Sequence, residues 1–320
     1  MKSKPILIVA GEPNSIFLEI FFKSIKKNKF KSPLILIASY KLVILQMKKL
    51  KFKKKIRLLN LAEIKDKKLN NKNINLIDVN FSQTKPFEKI SSKSNKYIHK
   101  SFDIALEIMN KKISDKMING PVSKKFFLKK KYLGITEYLA HRTKSKNFAM
   151  LIFNKDLSVC PLTTHLPIKK VSKYINKNNI KKKIELLDIF FKKYLKTKPQ
   201  IAVTGLNPHC ESIDLFNEDE KIIKPSIRSL IKSNYKIFGP FAADTVFLKK
   251  NRRKYNIIVG MYHDQVLTPM KTLFEYNAIN ITLGLPFTRI SPDHGPNIDM
   301  FLKNKSDPTS LIKAIKFLDK

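Results

Sequence analysis

The chain has 320 residues, 43% of them hydrophobic, which is enough to bury a substantial core divided between two lobes. Its formal charge of +39 raises nucleic acid, acidic surfaces and anionic substrates as partners. The lysines, however, are spread along the whole chain beside Asn and Ile, with no Trp and no basic–aromatic repeat, so they read as solvated background and nucleic acid is not the expected partner.

Cys160 and Cys210 are too few and too far apart for a disulfide framework or a zinc finger, and reduced thiols in a cytoplasm are expected. The apolar stretch after Met1 is too short for a signal peptide, and Glu12-Pro13-Asn14 follows at once. No apolar run reaches the roughly 18 residues needed to span a membrane.

In chain order, Ile6–Ala10 reads as a buried strand ending in the turn Gly11-Glu12-Pro13. Ile16, Ile20, Phe21 and Ser24 share one helical face, and Leu34–Ala38 is a second buried strand. Together these predict a parallel βαβ unit. Leu42–Leu50 is a basic helix. Residues 52–96 are poorly periodic and read as short strands and surface loops. Tyr97–Asn110 is a helix. Lys116–Asn119 leads into Gly120-Pro121-Val122-Ser123-Lys124, a turn that can place Ser123 at a helix start, and Thr136-Glu137 opens a short helix. Ala149–Phe153 and Leu157–Thr163 are strands, the second ending in Thr164-His165. Ile184–Leu195 is amphipathic, and Ile201–Thr204 is a strand ending in Gly205-Leu206-Asn207-Pro208-His209. Glu218–Ser233 is a helix that breaks or restarts at Pro225. Ile257–Val259 runs into Tyr262-His263-Asp264-Gln265, Ile279–Leu283 ends in Gly284-Leu285-Pro286, and Pro308–Leu318 is helical.

Three of the six histidines, His165, His209 and His263, each follow a predicted strand and turn. Strands of one open α/β sheet end at one edge, so these imidazoles can meet and hold a divalent ion with a coordination place left open. The alternative for each is a hydrogen-bonded loop residue. His99 and His141 lie on helices amid lysines and read as surface residues. Lys271 and Arg289 flank Asn280. Two cations and an amide beside a metal suit a phosphorylated, carboxylated substrate; the alternative is two more solvated cations. With eight glycines the chain has no G-x-G-x-x-G loop, no Walker loop and no G-x-S-x-G elbow, so any dinucleotide must be held another way.

Taken in order, Gly11-Glu12-Pro13, Asn119-Gly120-Pro121-Val122-Ser123-Lys124, Gly134-Ile135-Thr136-Glu137 and Thr164-His165-Leu166-Pro167 form one series. It continues through Gly205-Leu206-Asn207-Pro208-His209, Gly239-Pro240, Ala243-Asp244-Thr245, Met261-Tyr262-His263-Asp264-Gln265, Asn280–Pro286 and Asp293-His294-Gly295. This series resembles the 4-hydroxythreonine-4-phosphate dehydrogenase family of pyridoxal phosphate (vitamin B6) biosynthesis over nearly the whole chain.

The resemblance implies a two-lobed α/β/α fold like that of isocitrate and isopropylmalate dehydrogenases, with the active site in the interdomain cleft. One lobe would be 1–125 with 275–320, and the other 126–274. It implies a homodimer whose subunits share the active site. One divalent ion, Zn, Mg or Co, would be held by His165, His209 and His263. Substrate contacts would come from Thr136, Lys271, Asn280 and Arg289. On chemical grounds, beside the resemblance, Lys271 and Asp244 are the candidate catalytic residues, Lys271 as the base and Asp244, with Asp264, to orient the histidines. His294, Gly295 and Asp299 would face NAD, with NADP as the alternative cofactor. The implied reaction is oxidation of 4-phosphooxy-L-threonine and decarboxylation to 3-amino-2-oxopropyl phosphate.

The chain departs from the family pattern at Ile135, where the family has His, at Cys210-Glu211-Ser212, where glycines are usual, and in its glycine-poor first loop. These departures bear on the substrate and on cofactor fit. They keep two alternatives in view: a sister dehydrogenase acting on a threonate- or erythronate-type sugar-acid phosphate, and a non-catalytic basic relative that binds nucleic acid.

Overall fold

The computed structural model describes residues 3–61, 64, 69–129, 131–292 and 295–319. Its strands are β1 (Ile6–Val9), β2 (Leu34–Ala38), β3 (Ile56–Leu58), β4 (Ile74–Asp78), β5 (Lys116–Asn119), β6 (Ala149–Phe153), β7 (Ser158–Pro161), β8 (Ile201–Thr204), β9 (Ile237–Phe241), β10 (Ile257–Gly260), β11 (Ile279–Leu283) and β12 (Thr288–Pro292). Its helices are α1 (Phe17–Lys27), α2 (Tyr40–Lys49), α3 (Asn95–Asn110), α4 (Ile135–Arg142), α5 (Val171–Tyr174), α6 (Lys177–Phe190), α7 (Lys224–Lys232), α8 (Ala243–Val246), α9 (Lys249–Arg252), α10 (His263–Phe274) and α11 (Thr309–Leu318). The chain divides into two compact units, residues 1–138 with 286–320, and residues 139–285.

The first unit carries the strand order β3-β4-β2-β1-β5-β12, every pair parallel. Strands covered on both faces read as unbroken apolar runs, and β1 (ILIV) and β2 (LILIA) are buried at every position. The βαβ expectation holds: Ile16, Ile20, Phe21 and Ser24 are all buried, and Ser24 Oγ folds back onto the Ile20 carbonyl at 2.7 Å. Ser39 caps α2 by accepting from the Leu42 N–H. Ser123 does the same for the helical turn Lys124–Leu128, the helix start expected there. Gly11 has φ +75°, and a Cβ on it would fall on the Pro121 and Gly120 carbonyls. The turn after β1 therefore closes only around glycine.

The second unit carries β11-β6-β7-β10-β8-β9, with β11–β6 and β6–β7 antiparallel and the remaining pairs parallel. Its core gathers Val159, Ala202, Ile258, Val266 and Met270 among others.

Three elements lack a clean signal in the sequence. In α10, Pro269 interrupts the pattern although Val266 and Met270 keep a buried face. In β12, Arg289 breaks an apolar run while lying fully buried. In β9, Gly239-Pro240 are strand breakers, tolerated because β9 is an edge strand of this sheet order.

Candidate active site

The three histidines sit beyond the carboxyl ends of three adjacent parallel strands. β10 is in the middle, with Gly260 opposite Pro161 of β7 and Val259 opposite Val203 of β8. Neighbouring strands run about 4.8 Å apart, so residues nearly a hundred positions distant in sequence leave the sheet side by side. His165 follows β7, His263 opens α10 directly after β10, and His209 lies in the turn after β8.

The His165 and His263 rings have centroids 5.5 Å apart at an interplanar angle of 38°. An imidazole nitrogen bonds zinc at about 2.0–2.1 Å and lies about 1 Å from its ring centre, so two rings on one tetrahedral ion have centres roughly 5 Å apart. His263 Nδ1 is 2.6 Å from Asp264 Oδ1, which leaves Nε2 as the nitrogen that can take a ligand. These two imidazoles therefore fit a shared divalent ion. Among the described residues of the single chain, His209 does not join them in a group of three His, Cys, Asp or Glu side chains able to hold a metal.

The His209 turn is held from behind. Asp219, fully buried, accepts from the Leu206 N–H at 2.8 Å, the Asn207 N–H at 3.1 Å and Asn207 Nδ2 at 3.0 Å. A Cβ on Gly205 would collide with Asp219 Oδ1 and Cys210 Sγ, so glycine is required for this wrap. His209 and Cys210 both have left-handed backbone, φ +56° and +63°. Non-glycine residues there carry strain of a kind that gathers at functional loops, and glycine would relax it at Cys210. Burial and the nearby charges of Asp219, Asp244 and Glu211 raise the Cys210 thiol. Asp244 is exposed at the start of α8. Cys160 is a core residue of β7, its thiol pushed up to about 11 by burial, so it packs and does not react.

Lys271 lies in the last turn of α10, its Nζ 5.6 Å above the Tyr276 ring. Eight helical residues put it about 12 Å along the axis from His263. Asn280 is half-buried in β11, and its Oδ1 is buried with no hydrogen-bond partner, an acceptor left over by the fold.

Two of the expected substrate residues meet in the first unit. Arg289 Nε donates to Asn119 Oδ1 at 2.6 Å, and Arg289 Nη1 to Thr136 Oγ1 at 3.4 Å. Arg289 is completely buried and Thr136 nearly so. Burial pushes the guanidinium down to about 9, while the charge of Glu137 acts the other way. Arg289 is therefore not one more solvated lysine-like cation. Ile135 stands half-buried at the start of α4, next to Thr136. Of the expected cofactor residues, Gly295 and Asp299 are exposed, Asp299 in the turn Ile298–Met300; His294 lies outside the described residues.

Asn119 holds Arg289, Asp219 holds the Leu206–Asn207 turn and Gln265 bridges Met261 and Gly205, although the sequence alone assigns these three no role. Asn119 and Gln265 adjoin apolar residues, the one available hint, whereas Asp219 lies in the polar run 217–221 and offers none. Glu12, after β1, is 1% exposed and pushed up to about 7 by burial, against hydrogen bonds from the Asn14 N–H and Ser94 Oγ.

The profile of the family described as Pyridoxal phosphate biosynthetic protein PdxA matches residues 29–318. The chain belongs to the PdxA family. A 4-hydroxythreonine-4-phosphate dehydrogenase from Sulfurihydrogenibium sp. is 36% identical over 97% of this chain and 96% of its own length. A D-threonate 4-phosphate dehydrogenase from Salmonella typhimurium is 29% identical over 99% of this chain and 98% of its own. The crystal structure of 4-hydroxythreonine-4-phosphate dehydrogenase from Klebsiella pneumoniae superposes with TM-score 0.83 at 27% identity, covering 99% of this chain and 98% of that one. A β-decarboxylating dehydrogenase from Thermococcus kodakarensis shares the fold at TM-score 0.50 and 10% identity, covering 98% of this chain and 81% of that one. The α/β fold expected from the sequence, like that of decarboxylating dehydrogenases, is the fold observed.

Proposed function

We propose that this PdxA-family chain is a nicotinamide- and metal-dependent dehydrogenase. It oxidises the secondary alcohol of 4-phosphooxy-L-threonine, and the resulting β-keto acid loses CO₂ to give 3-amino-2-oxopropyl phosphate. The observation that carries this reading is family membership across residues 29–318, with a relative of that name aligned end to end.

On this reading His165, His209 and His263 hold the ion, with NAD as the hydride acceptor and NADP as the alternative. When bound, the divalent ion polarises the substrate hydroxyl and then the ketone that oxidation produces. The protein's own contribution is orientation and charge. Asp264 fixes the His263 ring through Nδ1. Arg289, desolvated and braced by Asn119, presents a preorganised cation to an anionic group, with Thr136 at its side. Lys271, as the neutral amine, is the candidate to take the hydroxyl proton and becomes a second cation on doing so, and Asn280 offers an amide to the substrate. Asp244 is a candidate to orient His209. Gly295, Asp299 and His294 are assigned to the adenosine end of the cofactor. The assembly that goes with this reading is a cytoplasmic homodimer whose subunits share the site. Among the described residues no helix is long and apolar enough to cross a membrane.

The second reading is a D-threonate 4-phosphate dehydrogenase, the name carried by the Salmonella typhimurium relative, with Ile135 reshaping the pocket. An aliphatic side chain beside Thr136 cannot donate to a phosphate or carboxylate, and threonate carries a hydroxyl where the threonine substrate has an ammonium. Steady-state NADH formation from both compounds, with zinc, magnesium or cobalt added in turn, separates the two. Chelation and His209→Ala should each abolish turnover. Turnover that survives both removes the metal from the account.

A further inference from the structure

The His165, His209 and His263 turns leave three different strands, and one side chain ties two of them together. Gln265 Oε1 accepts from the Met261 N–H at 2.7 Å and from Thr204 Oγ1 at 2.8 Å. Its Nε2 donates to the Gly205 carbonyl at 2.8 Å. Met261 is two residues before His263, and Gly205 is four before His209. Thr163, two residues before His165, donates its hydroxyl to the Met261 carbonyl at 2.7 Å. A continuous hydrogen-bonded line thus runs Thr163–Met261–Gln265–Gly205 across the carboxyl edge of β7, β10 and β8. Asp219 grips the same Gly205–Asn207 turn from its other side. Backbone bonds carry the β7–β10 pairing past the strand ends, from the Leu162 N–H to the Gly260 carbonyl and from the Thr163 N–H to the Met261 carbonyl. Between the β10 and β8 turns the tie is the Gln265 side chain.

We propose that Gln265 is the positioning residue of the histidine edge: it fixes the His209-bearing turn against the His263 and His165 turns. This rests on the reading of the three histidines as metal ligands in a site shared between subunits, to which the pinned turn presents His209. Glutamine suits the task because its amide offers an acceptor to two donors and a donor to a carbonyl at once. Glutamate has the same shape but would turn a carboxylate oxygen towards the Gly205 carbonyl, and methionine fills the space with no polar atom.

The experiment compares wild type with Gln265→Glu, Gln265→Met and Thr204→Val. The last removes one donor to Gln265 but leaves the tie to Gly205. Zinc affinity is measured by chelator competition, and backbone amide exchange over residues 205–211 is followed in the zinc-free protein. Loss of a group that orients a metal ligand typically weakens metal about 10- to 100-fold, and both Gln265 variants should fall in that range while Thr204→Val loses less. Exchange at 205–211 should rise about tenfold or more in the Gln265 variants, while exchange in the β10 core stays unchanged. Wild-type zinc affinity with unchanged loop exchange overturns the proposal, as does faster exchange spread evenly over the whole unit. If wild type itself binds no zinc, the metal reading of the function fails, and the exchange result alone decides whether Gln265 pins the turn.

Discussion

Glu12→Gln should stabilise the protein at pH 8 and leave it nearly unchanged at pH 5. The Glu12 carboxyl lies 1% exposed after β1, held by the Asn14 N–H at 3.3 Å and Ser94 Oγ at 3.1 Å. These two bonds do not offset the loss of water, and the group rises from its ordinary 4.5 to about 7. Between those values the folded chain keeps its proton while the unfolded chain releases it. The folded state therefore binds more protons, and stability falls as pH climbs through that window, levelling off above about 7. At about 1.4 kcal/mol per pH unit the full descent is roughly 3 kcal/mol, as an upper value. Glutamine keeps an acceptor for Asn14 and carries no charge to bury, and Ser94 Oγ can turn to the Ser91 carbonyl, 3.0 Å away. Urea unfolding at pH 5, 6.5 and 8 reads the effect directly. Equal pH slopes for the two proteins, or a variant less stable than wild type at pH 8, would refute the burial argument.

Arg289→Ala strips a buried cation from Asn119 and from the field of Glu137, and should cost about 3–5 kcal/mol in urea unfolding. Arg289→Met fills the volume but leaves Asn119 and Glu137 without the cation as Ala does, so it should spare only the cavity cost, and it should reduce kcat/KM at least about 100-fold if the guanidinium grips substrate; an active Met variant removes that role. Asp264→Asn should weaken zinc binding about tenfold by loosening His263 Nδ1, with little change in melting temperature, since Asp264 is itself exposed. Unaltered zinc affinity would leave the His263–Asp264 contact without a part in the site.

Much of the architecture was legible in the residues themselves. Ile6–Val9, Leu34–Ala38 and Ile257–Val259 are unbroken apolar runs, and burial on both faces of a parallel sheet is the direct reason for that pattern. The helical face Ile16–Ile20–Phe21–Ser24 and the helix start at Ser123 were equally local signals. Helix α10 was not legible, because Pro269 masks a periodicity that packing against β7 and β10 sustains. Strand β12 was hidden by Arg289, whose charge the sequence offers to solvent and the fold buries.

What the sequence by itself determined is the inventory: the order of motifs, the family, and three histidines each placed after a strand. Those depend on local spacing, which one chain of letters records completely. Only the tertiary structure decided which strands are neighbours, and so which turns share an edge. It put β10 between β7 and β8, brought the His165 and His263 rings to 5.5 Å, and set Asn119 and Thr136 on Arg289. The physical reason is that hydrogen-bond partners of Asp219 and Gln265 are chosen by strand order and burial, and neither is written in the identity of Asp or Gln.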